Sequence, residues 1–150
     1  MPAPTLPAPA SLRRTSTNSR APLRPNGPRE PFASRWRMTS LQITDSQGKK
    51  TDVPYSGQVI FSQSGTLSVQ AMDQDPAAKP TTYTANGYEA YYGPVAIDEE
   101  KSTFTITVES SLVRNLIGQE LQRVFEVAGD HLVITPVDPE EGWRVTYERL

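Results

Sequence analysis

From Trp36 onward, apolar and polar residues alternate in short runs broken by turn residues, the period of half-buried β-strands. The run WRMTSLQI at 36–43 gives way to the turn-rich TDSQGKKTD at 44–52. QVIFSQ at 58–63 and TLSVQAM at 66–72 flank Ser64-Gly65, a hairpin signal. After the polar stretch DQDPAAKPTTYTAN comes GYEAYYGPVAI at 87–97. STFTITVES at 102–110 puts Phe104, Ile106 and Val108 on one face and Thr103, Thr105 and Thr107 on the other. RVFEVAGDHLVIT at 123–135 carries Gly129-Asp130 at its centre, a second hairpin. GWRVTYERL at 142–150 sets Trp143, Val145 and Tyr147 on one face.

These runs predict roughly eight strands with short connections, rich in β-branched and aromatic residues. No long helices separate them, so a parallel βαβ sheet is excluded. The fold class is all-β, and eight antiparallel strands close as an up-and-down barrel or stack as a sandwich. A barrel leaves no exposed edge. One segment fits helical spacing instead. In SSLVRNLIGQELQRVFEV, Leu112, Val113, Leu116, Ile117, Leu121, Val124 and Phe125 make an apolar stripe behind the N-cap candidates Ser110 and Ser111. Local pattern alone favours a helix over 111–126, although Gly118 in its middle costs ~1 kcal/mol.

Composition divides the chain in two. Eight of the 14 prolines fall within residues 1–31. Through Met38 there are seven arginines and one acid, Glu30, a net of +6; from Thr39 there are 8 Lys+Arg and 16 Asp+Glu, a net of −8. Residues 1–32 read as a disordered Pro/Arg/Ser-rich tail, because proline removes backbone donors and large apolar residues are few. Residues 33–150 read as the folded domain. The tail's Arg and Ser content resembles an organelle transit peptide, against which its prolines prevent an amphipathic helix. Arg13–Ser16, RRTS, resembles a basophilic-kinase site. The acidic body speaks against a nucleic-acid-binding surface. With no cysteine and a single histidine, His131, disulfides, thiolate catalysis and multi-histidine metal sites are excluded. No apolar run reaches the ~20 residues that span a bilayer. Neither a metal nor another cofactor is expected, and the expected location is cytoplasmic, with organelle targeting as the alternative.

The ordered segments WRMTSLQITDSQGK, GQVIFSQSGTLSVQAMDQD, GYEAYYGPVAID, TVESSLVRNLIGQELQRVFEVAGDHLVIT and WRVTYERL resemble the lipocalin-like domain of small bacterial and fungal proteins. The resemblance covers residues 34–150 and implies an eight-stranded antiparallel barrel around a central cavity. It also implies that SLVRNLIGQ is a loop leading into a strand at about Glu120, which overrules the long helix and leaves at most a helical turn at 111–117. In that family the first strand opens with Gly-X-Trp; the Trp plugs one barrel end and an arginine from the last strand covers its ring. Ser34-Arg35-Trp36 and Arg149 match these positions. Ser34 stands where the pattern has glycine, which leaves open how closely the chain packs there.

An eight-stranded barrel has room for one small ligand. Alternate residues line it, and a one-residue slip exchanges the faces. The aromatic run GYEAYYG puts Tyr88 and Tyr92 on one face, Glu89 and Tyr91 on the other. Tyrosines suit a flat, partly oxygenated molecule, and equally the packing of a barrel wall. The ligand-binding candidates are Phe61, Gln70, Met72, Tyr88, Tyr92, Glu109 and Arg123. An inward Arg123 would anchor a carboxylate or enolate, and an inward Glu109 would act as a general acid or base. The plainer alternative for each charge is a solvated outer face. His131, beside a hairpin turn, is expected at an exposed tip. Barrels of this general kind also occur beside polyketide biosynthetic genes. Two function classes follow: a cofactor-free cyclase or isomerase of secondary metabolism, or a carrier of a hydrophobic metabolite. A filled barrel serving as an interaction protein is a third.

Overall fold

The computed structural model describes residues 33–150. The expectations for the tail, its RRTS motif and its targeting character fall outside the described residues. Among the described residues ten strands form: β1 (Ser34–Thr44), β2 (Lys50–Val53), β3 (Tyr55–Phe61), β4 (Thr66–Asp73), β5 (Tyr88–Asp98), β6 (Thr103–Thr107), β7 (Ser110–Ser111), β8 (Glu120–Ala128), β9 (His131–Pro136) and β10 (Trp143–Arg149). Eight of them, all but the short β2 and β7, run antiparallel around a closed barrel in the order β1-β3-β4-β5-β6-β8-β9-β10. Pairing of β10 with β1, from Trp36↔Arg149 to Ile43↔Trp143, closes it. β2 extends the far half of β1, and β7 pairs with Tyr91 and Tyr92 of β5.

The alternation in the sequence sets which side chains fill this barrel. Phe104, Ile106 and Val108 are buried, as are Val59, Phe61, Leu67, Val69 and Ala71. In β1 a bulge between Met38 and Ser40 shifts the register, so Trp36 and Met38 are followed inward by Leu41 rather than Ser40. The ambiguous segment resolves as a 3₁₀ turn at Arg114–Leu116 and then β8 from Glu120. Its apparent helical stripe merges two periods. Leu116 is buried by the turn, and Leu121 and Phe125 are buried by the strand, while Leu112 and Ile117 stay exposed. Gly118, at φ +86°, separates the two.

At one end Trp36 is fully buried and its indole Nε1 donates to Ser34 Oγ at 2.7 Å. Arg149 lies over the ring at 4.3 Å, with its Nε 3.6 Å from Asp130. Serine in place of glycine thus gives the buried N–H its acceptor. Ser34→Ala strands that donor and is expected to lower stability by about 1–3 kcal/mol. Arg149→Ala, which removes the stacked cation, is expected to lower it by ~1 kcal/mol or more. Urea unfolding midpoints unchanged in both variants would remove the cap as a stabilising device.

Candidate ligand-binding cavity

Above the buried tryptophan the barrel is not filled. A cavity of about 290 Å³ remains. Much of its wall is aliphatic, with Met38, Val59, Leu67, Val69, Ile106 and Ile134 supplied by five strands. The volume lies at the low end of small-molecule sites, ~300–1,000 Å³.

Into this apolar space project a few polar side chains. On β5, Glu89 and Tyr91 share the inward face, two residues apart. Tyr55, at the start of β3, donates its hydroxyl to Glu89 Oε2 at 3.3 Å. Arg123 enters from β8, where its strand partner is Phe104. Its Nη2 donates to the Tyr83 hydroxyl at 3.0 Å and its Nη1 to the Gln122 carbonyl at 3.1 Å. The guanidinium also lies 5.0 Å from the Trp143 ring and 5.7 Å from that of Tyr83. Neither of the two ion pairs among the described residues includes it.

Tyr83 belongs to the loop between β4 and β5, which folds back so that Thr81 and Tyr83 line the cavity. The loop is braced locally. The Thr81 amide donates to Thr84 Oγ1 at 3.0 Å, and Thr84 is buried. Asn86 and Gly87, both at positive φ, then turn the chain into β5.

Burial governs the ionisation of this group. It raises the Glu89 carboxyl from an ordinary 4.5 to about 7, against the opposing pull of the Tyr55 hydrogen bond and the Arg123 charge. Burial likewise pushes the hydroxyls of Tyr55, Tyr91 and Tyr147 upward, Glu89 adding to the effect at each. The three phenols are therefore protonated donors at neutral pH. The raised value brings Glu89 near neutrality, the range suited to a general acid or base.

The sequence candidates distribute unevenly. Arg123 lines the cavity. Phe61 points inward but is packed into the core, edge-on to Phe104 at 5.7 Å, and does not reach the cavity. Tyr88, Tyr92 and Met72 are about two-fifths exposed on the outside of the wall, at 39%, 43% and 43%. Gln70 faces outward and accepts a 2.7 Å hydrogen bond from Gln58. Glu109 is exposed, since Val108 before it takes the inward face, and His131 is exposed beside its turn. The expected face of β5 is thus corrected. Glu89 and Tyr91 are inside, and the register Ala71↔Glu89 and Val69↔Tyr91 aligns them with the apolar side of β4. Tyr55, Tyr83 and Tyr147 complete the polar group; none of these three was a candidate. The parity of β3 and β10 could have found Tyr55 and Tyr147, whereas Tyr83 lies in a loop and has no periodic signal.

Among the described residues no helix is long and apolar enough to cross a membrane. One protein-family model, described as a lipocalin-like domain, matches the chain over residues 34–147. No curated protein matches it.

Proposed function

We propose that this chain, which belongs to the lipocalin-like domain family, binds a small hydrophobic, partly oxygenated metabolite in its barrel and acts on it as a cofactor-independent isomerase or cyclase. One observation carries the reading: an ionisable carboxyl, Glu89, held near neutrality in a mainly apolar cavity and accompanied by Tyr55, Arg123 and a second carboxyl, Asp73, on the lining. Apolar walls hold the ligand body, and convergent polar groups at one place fix its oxygen function. Confinement itself favours ring closure, by holding a flexible chain near its reactive shape. Flat polyketide-type metabolites of secondary metabolism have the required mix of apolar surface and oxygen. A cytoplasmic setting would put the barrel beside the enzymes that make them.

A non-catalytic carrier is the second reading, favoured by the predominance of aliphatic wall over polar groups. Turnover separates the two: a carrier returns its ligand unchanged.

Anilinonaphthalene sulfonate, apolar with one anionic group, tests the shared premise of binding. Its fluorescence is expected to saturate at one molecule per barrel. Arg123→Leu is expected to weaken it about tenfold or more, through loss of a charge-assisted contact. A signal that does not saturate, or that ignores the loss of Arg123, argues against an occupied cavity.

A further inference from the structure

Four tyrosines line the cavity, and their hydroxyls divide into two kinds. Those of Tyr55 and Tyr83 are engaged, one donating to Glu89 and the other accepting from Arg123. Those of Tyr91 and Tyr147 have no hydrogen-bond partner among the described residues. Every fully buried polar side-chain atom among those residues does have a partner. The two hydroxyls therefore keep accessible surface, and Tyr147 is only 5% exposed as a residue. Both residues line the cavity. A donor left unpaired beside apolar walls is costly unless an occupant supplies an acceptor.

The chain brings these donors to Glu89 from separate strands. Tyr91 stands two residues beyond Glu89 on the inward face of β5. Tyr147 comes from β10, opposite Met38 of β1, which also lines the cavity. The field of Glu89 is felt at both phenols, as is that of Arg123. A ligand that fills the cavity shares it with this carboxyl and with both hydroxyl-bearing side chains. Burial keeps both phenols protonated, so they donate and do not compete as bases.

Building on the isomerase reading, we propose that Tyr91 and Tyr147 are catalytic residues whose hydroxyls receive the substrate's carbonyl oxygen, and that the substrate class is an enolisable ketone. Glu89 in its carboxylate form takes the α-proton. The carbon–hydrogen bond breaks and its electron pair forms the carbon–carbon double bond. The carbonyl π pair moves onto oxygen, giving an enolate that accepts hydrogen bonds from the two tyrosines. Glu89 then returns the proton, to the same carbon or to a conjugated one, so the step needs no oxidant, reductant or co-reactant. Arg123, fixed over Trp143 and Tyr83, adds a positive field toward the developing anion.

1-Indanone is the probe: flat, apolar, with one carbonyl and one exchangeable α-methylene. Its binding is read by displacement of anilinonaphthalene sulfonate, and its enolisation by α-deuterium uptake from D₂O followed by NMR. The full chain is expected to speed exchange above the buffer rate. Tyr91→Phe and Tyr147→Phe should each slow it ~100-fold, the scale of losing one oxyanion donor. The displacement constant should stay within about threefold and the melting temperature should not fall, since each substitution removes an unpaired hydroxyl and no packing. Glu89→Gln should abolish exchange. If both phenylalanine variants exchange at the full rate while Glu89→Gln does not, the tyrosine assignment is overturned and the catalytic reading survives. Displacement without exchange in the unaltered protein overturns the ketone chemistry and leaves a carrier. If neither compound enters the barrel, the binding premise itself has failed.

Discussion

Glu89→Gln is expected to stabilise the protein above pH 7 by up to roughly 3 kcal/mol and to change nothing at pH 4. The folded chain holds the Glu89 proton up to about pH 7, whereas the unfolded chain releases it near 4.5. Between these values the folded state binds more protons than the unfolded one, so stability falls as pH rises. A rise from 4.5 to about 7, at about 1.4 kcal/mol for each pH unit, gives that figure. Below 4.5 both states are protonated and the penalty vanishes; above 7 both are ionised and it is constant. Burial causes the rise, and the Tyr55 hydroxyl and Arg123 only moderate it. A neutral glutamine escapes the cost of charge while its amide oxygen can still accept from Tyr55. Subtracting the two unfolding free energies at each pH cancels all other titrations. A difference that stays flat from pH 4 to 8 would sink the assignment of Glu89 as a buried near-neutral acid. A stabilising substitution at this position is what a functional group kept at the expense of stability predicts.

That Glu89 was absent from the sequence-based candidates has a physical reason. Where one face of a strand is apolar and the other polar, the inward side is legible: Phe104-Ile106-Val108, Trp143-Val145-Tyr147 and Leu67-Val69-Ala71 all declare theirs. The last set already implies that Gln70 and Met72 point out. In the first half of β5, YEAYY, each face carries aromatic surface, and hydropathy cannot separate them. The preceding loop is too long for register to pass from β4 as it does across a two-residue turn. Tertiary pairing alone selects Glu89 and Tyr91. The 111–126 segment misleads for the opposite reason: a 3₁₀ turn and a strand, read in succession, imitate one helical stripe. The overall resemblance settled it because it carries information beyond local period. The pairing of Trp36 with Arg149 likewise comes from the resemblance and not from local pattern, and the structure stacks them.

Gly93→Ala is expected to cost about 3–5 kcal/mol, because its added methyl meets backbone more closely than one at any other described glycine. β5 pairs with β4 through residues 88–94, but on its other edge it changes partner. Val95–Asp98 pair with β6, and Tyr91 and Tyr92 pair with β7. The chain leaving β6 crosses the strand at Gly93, and the Glu109 amide donates to the Tyr92 carbonyl at 2.9 Å. A Cβ on Gly93 would be driven into the carbonyl of Thr107 and would also meet the Glu109 amide nitrogen at 3.0 Å. Both are backbone atoms: Thr107 is paired with Glu120 of β8 and the Glu109 amide is held by the Tyr92 carbonyl, so neither can rotate aside as a side chain would. The close crossing also fixes the direction from which the next inward residues, Tyr91 and Glu89, enter the cavity. Gly118→Ala separates this effect from ordinary glycine strain. Gly118 sits at φ +86° with nothing near its missing Cβ, so its replacement should cost only the ~1–2 kcal/mol of a left-handed backbone. Urea midpoints for the two variants therefore distinguish collision from conformation. If Gly93→Ala lowers the midpoint no more than Gly118→Ala does, the crossing is looser than described and the placement of Tyr91 and Glu89 does not depend on it.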